Sequence, residues 1–217
     1  THNTAVGHAA GTAVTTGVNN TFIGSLAGDG TDDGTNNVAV GKSALSGNCG
    51  DNNVAVGSGA LAATTGVNNI AIGKDASVAI NVGNYNISIG TSALAADTKG
   101  STTVAIGNAA FNDLNFTTAA DSFSTAVGHN AGAVQTSGTG NTYIGSLAGD
   151  GTIDSGNNTA VGTRALSADS GGTNTAIGSD ALIACTGFDN TAVGYTAGYG
   201  VTGGHNNLLL GHNAGRS

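Results

Sequence analysis

Asn36–Gly41 reads NNVAVG, Asn68–Gly73 reads NNIAIG and Thr173–Gly178 reads TNTAIG. Each is a copy of one short block that ends in glycine, and a block recurring at fixed spacing decides the architecture before any element is assigned. Working outward, equivalent blocks end at Gly7, Gly24, Gly41, Gly57, Gly73, Gly90, Gly107, Gly128, Gly145, Gly162, Gly178, Gly194 and Gly211. The thirteen copies lie 16 or 17 residues apart, except for one interval of 21 between Gly107 and Gly128. The second series repeats the first at a constant offset of 121, so Gly7 matches Gly128 and Gly90 matches Gly211.

Within each block the residue before the glycine is Val, Ile or Leu, and the residue three after it is Ala, from Ala10 to Ala214. Four before the glycine stands Asn in eleven copies: Asn3, Asn20, Asn37, Asn53, Asn69, Asn86, Asn141, Asn158, Asn174, Asn190 and Asn207. The exceptions, Thr103 and Ser124, flank the 21-residue interval. A repeat of 16–17 residues is long enough for one coil of a solenoid, with two strands of about four to six residues and two tight turns. The pattern therefore predicts an all-β, parallel β-solenoid of about thirteen coils. It covers 1–217 as a single repeat domain in two duplicated blocks, 1–110 and 122–217, joined by a longer loop, 111–124. The Asn column reads as a structural ladder, each amide bonding the turn and the next Asn along the stack. The glycine permits a bend where a Cβ would collide, and the Ala behind it a close approach of walls.

Alternate residues of a strand share a face. The positions one and three before the glycine are β-branched in twelve copies (Thr4 and Val6, Val38 and Val40, Ile70 and Ile72), with Leu208 and Leu210 in the last. The position two before it is Ala in nine copies, with Phe22, Ser88, Tyr143 and Leu209 as variants. Both strand faces are apolar, but a thin coil has bulk for only one dry interior. The expectation is that the alanine face is covered by sister chains, closed threefold symmetry being one way to bury it.

Composition sets the exclusions. With 38 Gly in 217 residues, 8% charged and 4% aromatic residues, the chain cannot fill a thick globular core. Its 39% hydrophobic content is too high for a solvated coil, and the absence of Pro rules out collagen. No apolar run approaches the ~20 residues that span a bilayer, so no direct membrane insertion of this segment is expected. A net charge of -8 opposes nucleic-acid binding. The repeats run through both ends, so caps are expected in the full protein.

NNVAVG, NNIAIG and TNTAIG resemble the head repeats of YadA-like trimeric autotransporter adhesins, and similar repeats occur in trimeric phage tail fibres. The resemblance covers nearly the whole chain. It implies a left-handed parallel β-roll, a homotrimer, and an elongated extracellular head or shaft, on a bacterial cell surface or a virion fibre, that binds a cell-surface glycan or protein receptor. The chain departs from the adhesin heads in carrying Ala where they often have Ser three after the glycine.

No convergent acid, base or nucleophile constellation is present, so no catalytic residue, metal site or cofactor is assigned. His8, His129 and His212 each follow a motif glycine and read as solvated turn residues. The acidic turns Gly28–Gly34 and Gly149–Ser155 match no calcium-loop pattern and read as ordinary turns. Cys49 and Cys185 lie too many coils apart to pair within one chain. Candidate ligand-binding residues are Phe116, Asp121 and Phe123 in the long interval and Tyr195 and Tyr199 in a late turn. The alternative for Phe111, Phe116 and Phe123 is to plug the seam between the blocks, and for the two tyrosines it is packing. Two further functional readings are an ice-binding solenoid, suggested by the recurring Thr three before the glycine, and a non-catalytic module of a phage tailspike.

Overall fold

The computed structural model describes residues 2–216. The fold is all-β, with no helix among the described residues, a parallel β-solenoid of about twelve turns. Its strands are β1 Thr4–Val6, β2 Thr21–Ile23, β3 Val38–Val40, β4 Val54–Val56, β5 Ile70–Ile72, β6 Ile87–Ile89, β7 Gly100–Ser101, β8 Val104–Ile106, β9 Ala120–Asp121, β10 Thr125–Val127, β11 Thr142–Ile144, β12 Thr159–Val161, β13 Thr175–Ile177, β14 Thr191–Val193 and β15 Leu208–Leu210.

Two compact units result. Among the described residues the first comprises 2–103 and 115–121, the second 104–114 and 122–216, so the division interleaves across the 21-residue interval. In the first unit β1 to β6 stack parallel in chain order, and β7 pairs with β9 as a separate two-stranded ribbon. In the second unit β8 and β10 to β15 stack likewise. Register follows the repeat, with Val38 opposite Val54 and Ala39 opposite Ala55.

Each coil carries one three-residue strand rather than the two longer strands expected. The cause lies in the backbone. Three positions in every copy adopt the left-handed region: five before the glycine, two after it and four after it, as at Asn36, Ser43 and Leu45. Left-handed residues cannot extend a strand, and outside glycine each costs on the order of 1 kcal/mol. The bends are secured by coil-to-coil hydrogen bonds outside the strands, such as Leu26 N–H to His8 O at 2.9 Å and Gly28 N–H to Ala44 O at 2.9 Å. The motif glycines themselves have φ from +113° to +145°. A Cβ on Gly24 would stand 2.5 Å from the Gly41 carbonyl oxygen, so no side chain fits there.

The alanine face is covered by its own chain and is not left for a sister chain to bury. Ala39, Ala55, Ala71, Ala105, Ala126, Ala160, Ala176 and Ala192 are fully buried inside their own coils. The β-branched face points outward: Ile23 is 41% exposed, Ile72 39%, Ile144 42% and Ile177 39%. The physical reason is cross-section. A coil of 16–17 residues closes around roughly one large side chain, and that chain comes from the position four after the glycine: Leu45, Leu61, Leu94, Phe111, Leu166 and Leu182 are all fully buried. Where the strand instead points a large residue inward, glycine takes the facing position. Gly11 and Gly28 both lie against Phe22, Gly132 and Gly149 against Tyr143, Gly198 and Gly215 against Leu209.

Candidate interaction surfaces

The asparagines share parity with the inward alanines and are held inside. In the first unit Asn20 N–H donates to Asn3 Oδ1 and Asn37 N–H to Asn20 Oδ1, both at 2.8 Å. Asn53 N–H then donates to Asn37 Oδ1 at 2.8 Å, Asn69 N–H to Asn53 Oδ1 at 3.0 Å and Asn86 N–H to Asn69 Oδ1 at 3.0 Å. Each Nδ2 donates to a turn carbonyl of the following coil, Asn37 to Gly50 O and Asn69 to Gly83 O at 2.9 Å. Thr103 ends this line as a donor to Asn86 Oδ1 at 3.0 Å. In the second unit Ser124 Oγ accepts from Asn141 N–H at 3.1 Å, and Asn158, Asn174, Asn190 and Asn207 continue the line. Buried polar groups must be paired, and this column pairs backbone groups that no strand ladder reaches. From Asn20 to Asn86 and from Asn141 to Asn190 these asparagines are buried and offer nothing to a ligand, whereas the end members Asn3 and Asn207 are exposed and half-buried.

No cleft or cavity opens among the described residues, and no three His, Cys, Asp or Glu side chains among them converge as a metal site. Asp29 and Asp150 each bury one carboxylate oxygen without a partner. Both cysteines are free and buried. His8, His129 and His212 are exposed on turns.

The long interval places its aromatics differently from either expectation. Phe111 is fully buried, its ring 5.9 Å from that of Tyr143. Phe116, a candidate ligand contact, is 6% exposed: it lies over Gly100, whose Cβ would stand 2.7 Å from the ring. Its backbone N–H points to Asp97 Oδ1 at 3.4 Å. It is a packing residue and cannot reach a ligand. Phe123, the third proposed plug, is 67% exposed because its left-handed backbone turns the ring outward. Asp121 is exposed on β9 and accepts from Thr102 Oγ1 at 3.4 Å.

Tyr195 and Tyr199 are both exposed, and here the structure assembles a group. Tyr195 meets His212 edge-on at 5.4 Å, and Arg216 lies over the Tyr199 ring at 5.7 Å. Asn213 Oδ1 accepts from Thr196 Oγ1 and from Arg216 at 3.2 Å. Two coils before the tyrosines Arg164 makes a two-pronged pair with Asp180 of the intervening coil at 2.8 and 3.0 Å, with both tyrosines in its electrostatic surroundings. Sequence reasoning singled out the tyrosines and missed Arg164 and Arg216. The available signal was repeat position: Tyr199 and Arg216 both stand five after a motif glycine, Tyr195 and His212 one after.

The other surface is the outward β-branched face, two residues wide, along each unit's strand stack. No helix among the described residues is long and apolar enough to cross a membrane. No protein-family model, curated protein or solved structure matches the chain.

Proposed function

We propose that this chain is the head or shaft of an extracellular trimeric fibre, on a bacterial surface or a virion, whose turns meet a cell-surface glycan or protein. The observation that carries the reading is the outward face of the strand stack. In the first unit Val38, Val40, Val54, Val56, Ile70, Ile72, Ile87 and Ile89 form an unbroken aliphatic ribbon that is partly or largely solvent-exposed. Parallel sheet is normally covered on both faces, and a contiguous exposed apolar patch marks an interaction site. Three copies packed on this ribbon would bury it, and closed symmetry would prevent unlimited growth. The resemblance of NNVAVG and NNIAIG to YadA-like head repeats supports the number three.

Light scattering tests it. The expected mass is three times the 20.6 kDa of one chain, and Ile72→Asp with Ile177→Asp is expected to give single chains. A wild-type chain that stays monomeric at high concentration would end this reading. A second reading rests on the second unit, where Thr125, Thr142, Thr159, Thr175 and Thr191 stand in register beside the aliphatic column. A flat, evenly spaced threonine array can order water, and measurable thermal hysteresis would favour an ice-binding role over a fibre.

A further inference from the structure

The two series of coils provide an internal comparison for the surface around Tyr195. Counting back 121 residues, the counterparts of Tyr195, Tyr199, His212 and Arg216 are Lys74, Val78, Thr91 and Ala95, and those of Arg164 and Asp180 are Ser43 and Gly59. The same backbone positions thus accept unrelated side chains, including left-handed residues at both Ser43 and Arg164. The fold does not require two tyrosines, a histidine and two arginines here. These two arginines are the only arginines of a chain with five Lys plus Arg and a net charge of -8. Concentrating them beside exposed aromatic rings is a property of this surface alone.

We infer that Tyr195, Tyr199, His212 and Arg216, with Arg164 beside them, form a binding platform for a saccharide that bears carboxylates, a uronate or sialate. The inference rests on the turns being the receptor-facing surface proposed above. Aromatic rings lying open to solvent offer an apolar face with a polar tip, suited to the C–H face of a sugar ring. Arg216 is exposed, and among the described residues its guanidinium makes one hydrogen bond, to Asn213 Oδ1. Its remaining fork of N–H donors matches a carboxylate two-pronged. The ring of Tyr199 under the guanidinium fixes the fork in place, which lowers the entropy lost when it binds. Among the described residues no cavity encloses a small molecule. An open platform suits a polymeric or surface-borne glycan gripped along its length rather than a free monosaccharide.

The test is binding of the full chain to a glycan array carrying uronate- and sialate-containing saccharides beside their neutral counterparts. It is repeated with Tyr195→Lys, Tyr199→Val and Arg216→Ala combined. These substitutions install the residues that the first series of coils already carries, so the fold should tolerate them, and an unchanged circular dichroism melt verifies that. Expected are carboxylate-dependent binding and a loss of about tenfold or more in the variant. Binding that is absent, equal for neutral sugars, or unaffected by the three substitutions overturns the inference. Light scattering on the same samples separates this from the fibre reading. A trimer that binds no acidic glycan sinks only the platform, and a monomer that binds one sinks only the fibre.

Discussion

Exchanging the large side chain between its two possible positions within one coil tests how the interior is filled. Tyr143 is fully buried, and a Cβ on Gly149 would stand 2.5 Å from two atoms of its ring. Tyr143→Ala alone empties the coil and should cost about 3–5 kcal/mol. Gly149→Leu alone drives a side chain into the ring, about 1–3 kcal/mol, and places Leu at φ +62°, adding about 1–2 kcal/mol. Independent effects would sum to roughly 5–10 kcal/mol. Together the substitutions recreate the arrangement of the neighbouring coil, where Ala160 faces inward and Leu166 is buried at φ 56°. The double variant then bears only the left-handed cost and a small volume deficit beside Gly132, about 2–4 kcal/mol. Its coupling should reach about 3 kcal/mol or more, the top of the range for touching residues. The two series already contain this exchange: Ser88 and Leu94 in the first correspond to Leu209 and Gly215 in the second. Urea unfolding followed by far-ultraviolet circular dichroism on the four proteins measures it, read as midpoint shifts at constant slope. Additivity within about 0.5 kcal/mol would refute the claim that one large residue fills each coil.

Three further outcomes are expected. Asn37→Ala removes the acceptor for Asn53 N–H and one of the two donors to Gly50 O, which keeps Asn53 Nδ2 at 3.2 Å, so one buried backbone group is left unpaired. Urea unfolding should show a loss of about 1–3 kcal/mol, and a loss under about 0.5 kcal/mol would deny the ladder its structural role. Burial pushes the Cys49 thiol up to about 11, so iodoacetamide at neutral pH should modify it only as the chain unfolds, and rapid labelling of the folded protein would contradict its enclosure. Burial also raises the Asp97 carboxyl above the usual carboxylate range, against backbone N–H donors from Gly100, Lys99 and Phe116 that lower it. A raised folded value means the folded state holds a proton that the unfolded state has already released, so stability falls as pH rises through that window. Asp97→Asn should therefore gain on the wild type at neutral pH and lose that gain as pH falls toward ~4; a gain that does not change with pH would show that Asp97 is not the titrating group.

The repeat, its glycine and the parallel stacking were legible because each is a backbone demand satisfied by one residue type in every coil. The strand count was not, because many of the bends fall on Leu26, Leu45, Leu61, Leu94 and Phe111, residues with no turn signature. The asparagines five before the glycine, such as Asn19, Asn36 and Asn52, and the glycines four after it in some copies, such as Gly28 and Gly149, announced a left-handed residue in the usual way. The inward and outward faces were exchanged for a more instructive reason. Bulk was taken as the mark of the interior, whereas the limit was coil cross-section. Asn37 and Ala39 are two residues apart and share a face. A ladder whose amides must be shielded from water therefore places the alanines inside with it, and that parity was readable.

The same constraint explains where function can reside. The two series agree inside: Leu45 with Leu166, Leu61 with Leu182, Phe22 with Tyr143, Gly28 with Gly149. Outside they part, Lys74 against Tyr195 and Val78 against Tyr199. An interior that closes around one large side chain per coil allows only compensated exchanges, so nearly all freedom to vary lies on the strand face and the turns. The strand face keeps an aliphatic residue before every glycine in spite of its exposure. The coil does not need it there, since its own interior is filled by Ala and Leu. An exposed aliphatic stripe is what a partner surface would need, and in the trimer proposed above a second copy of this chain would supply the matching stripe. The turns keep no such rule, as expected of a surface whose side chains are selected coil by coil for what they touch.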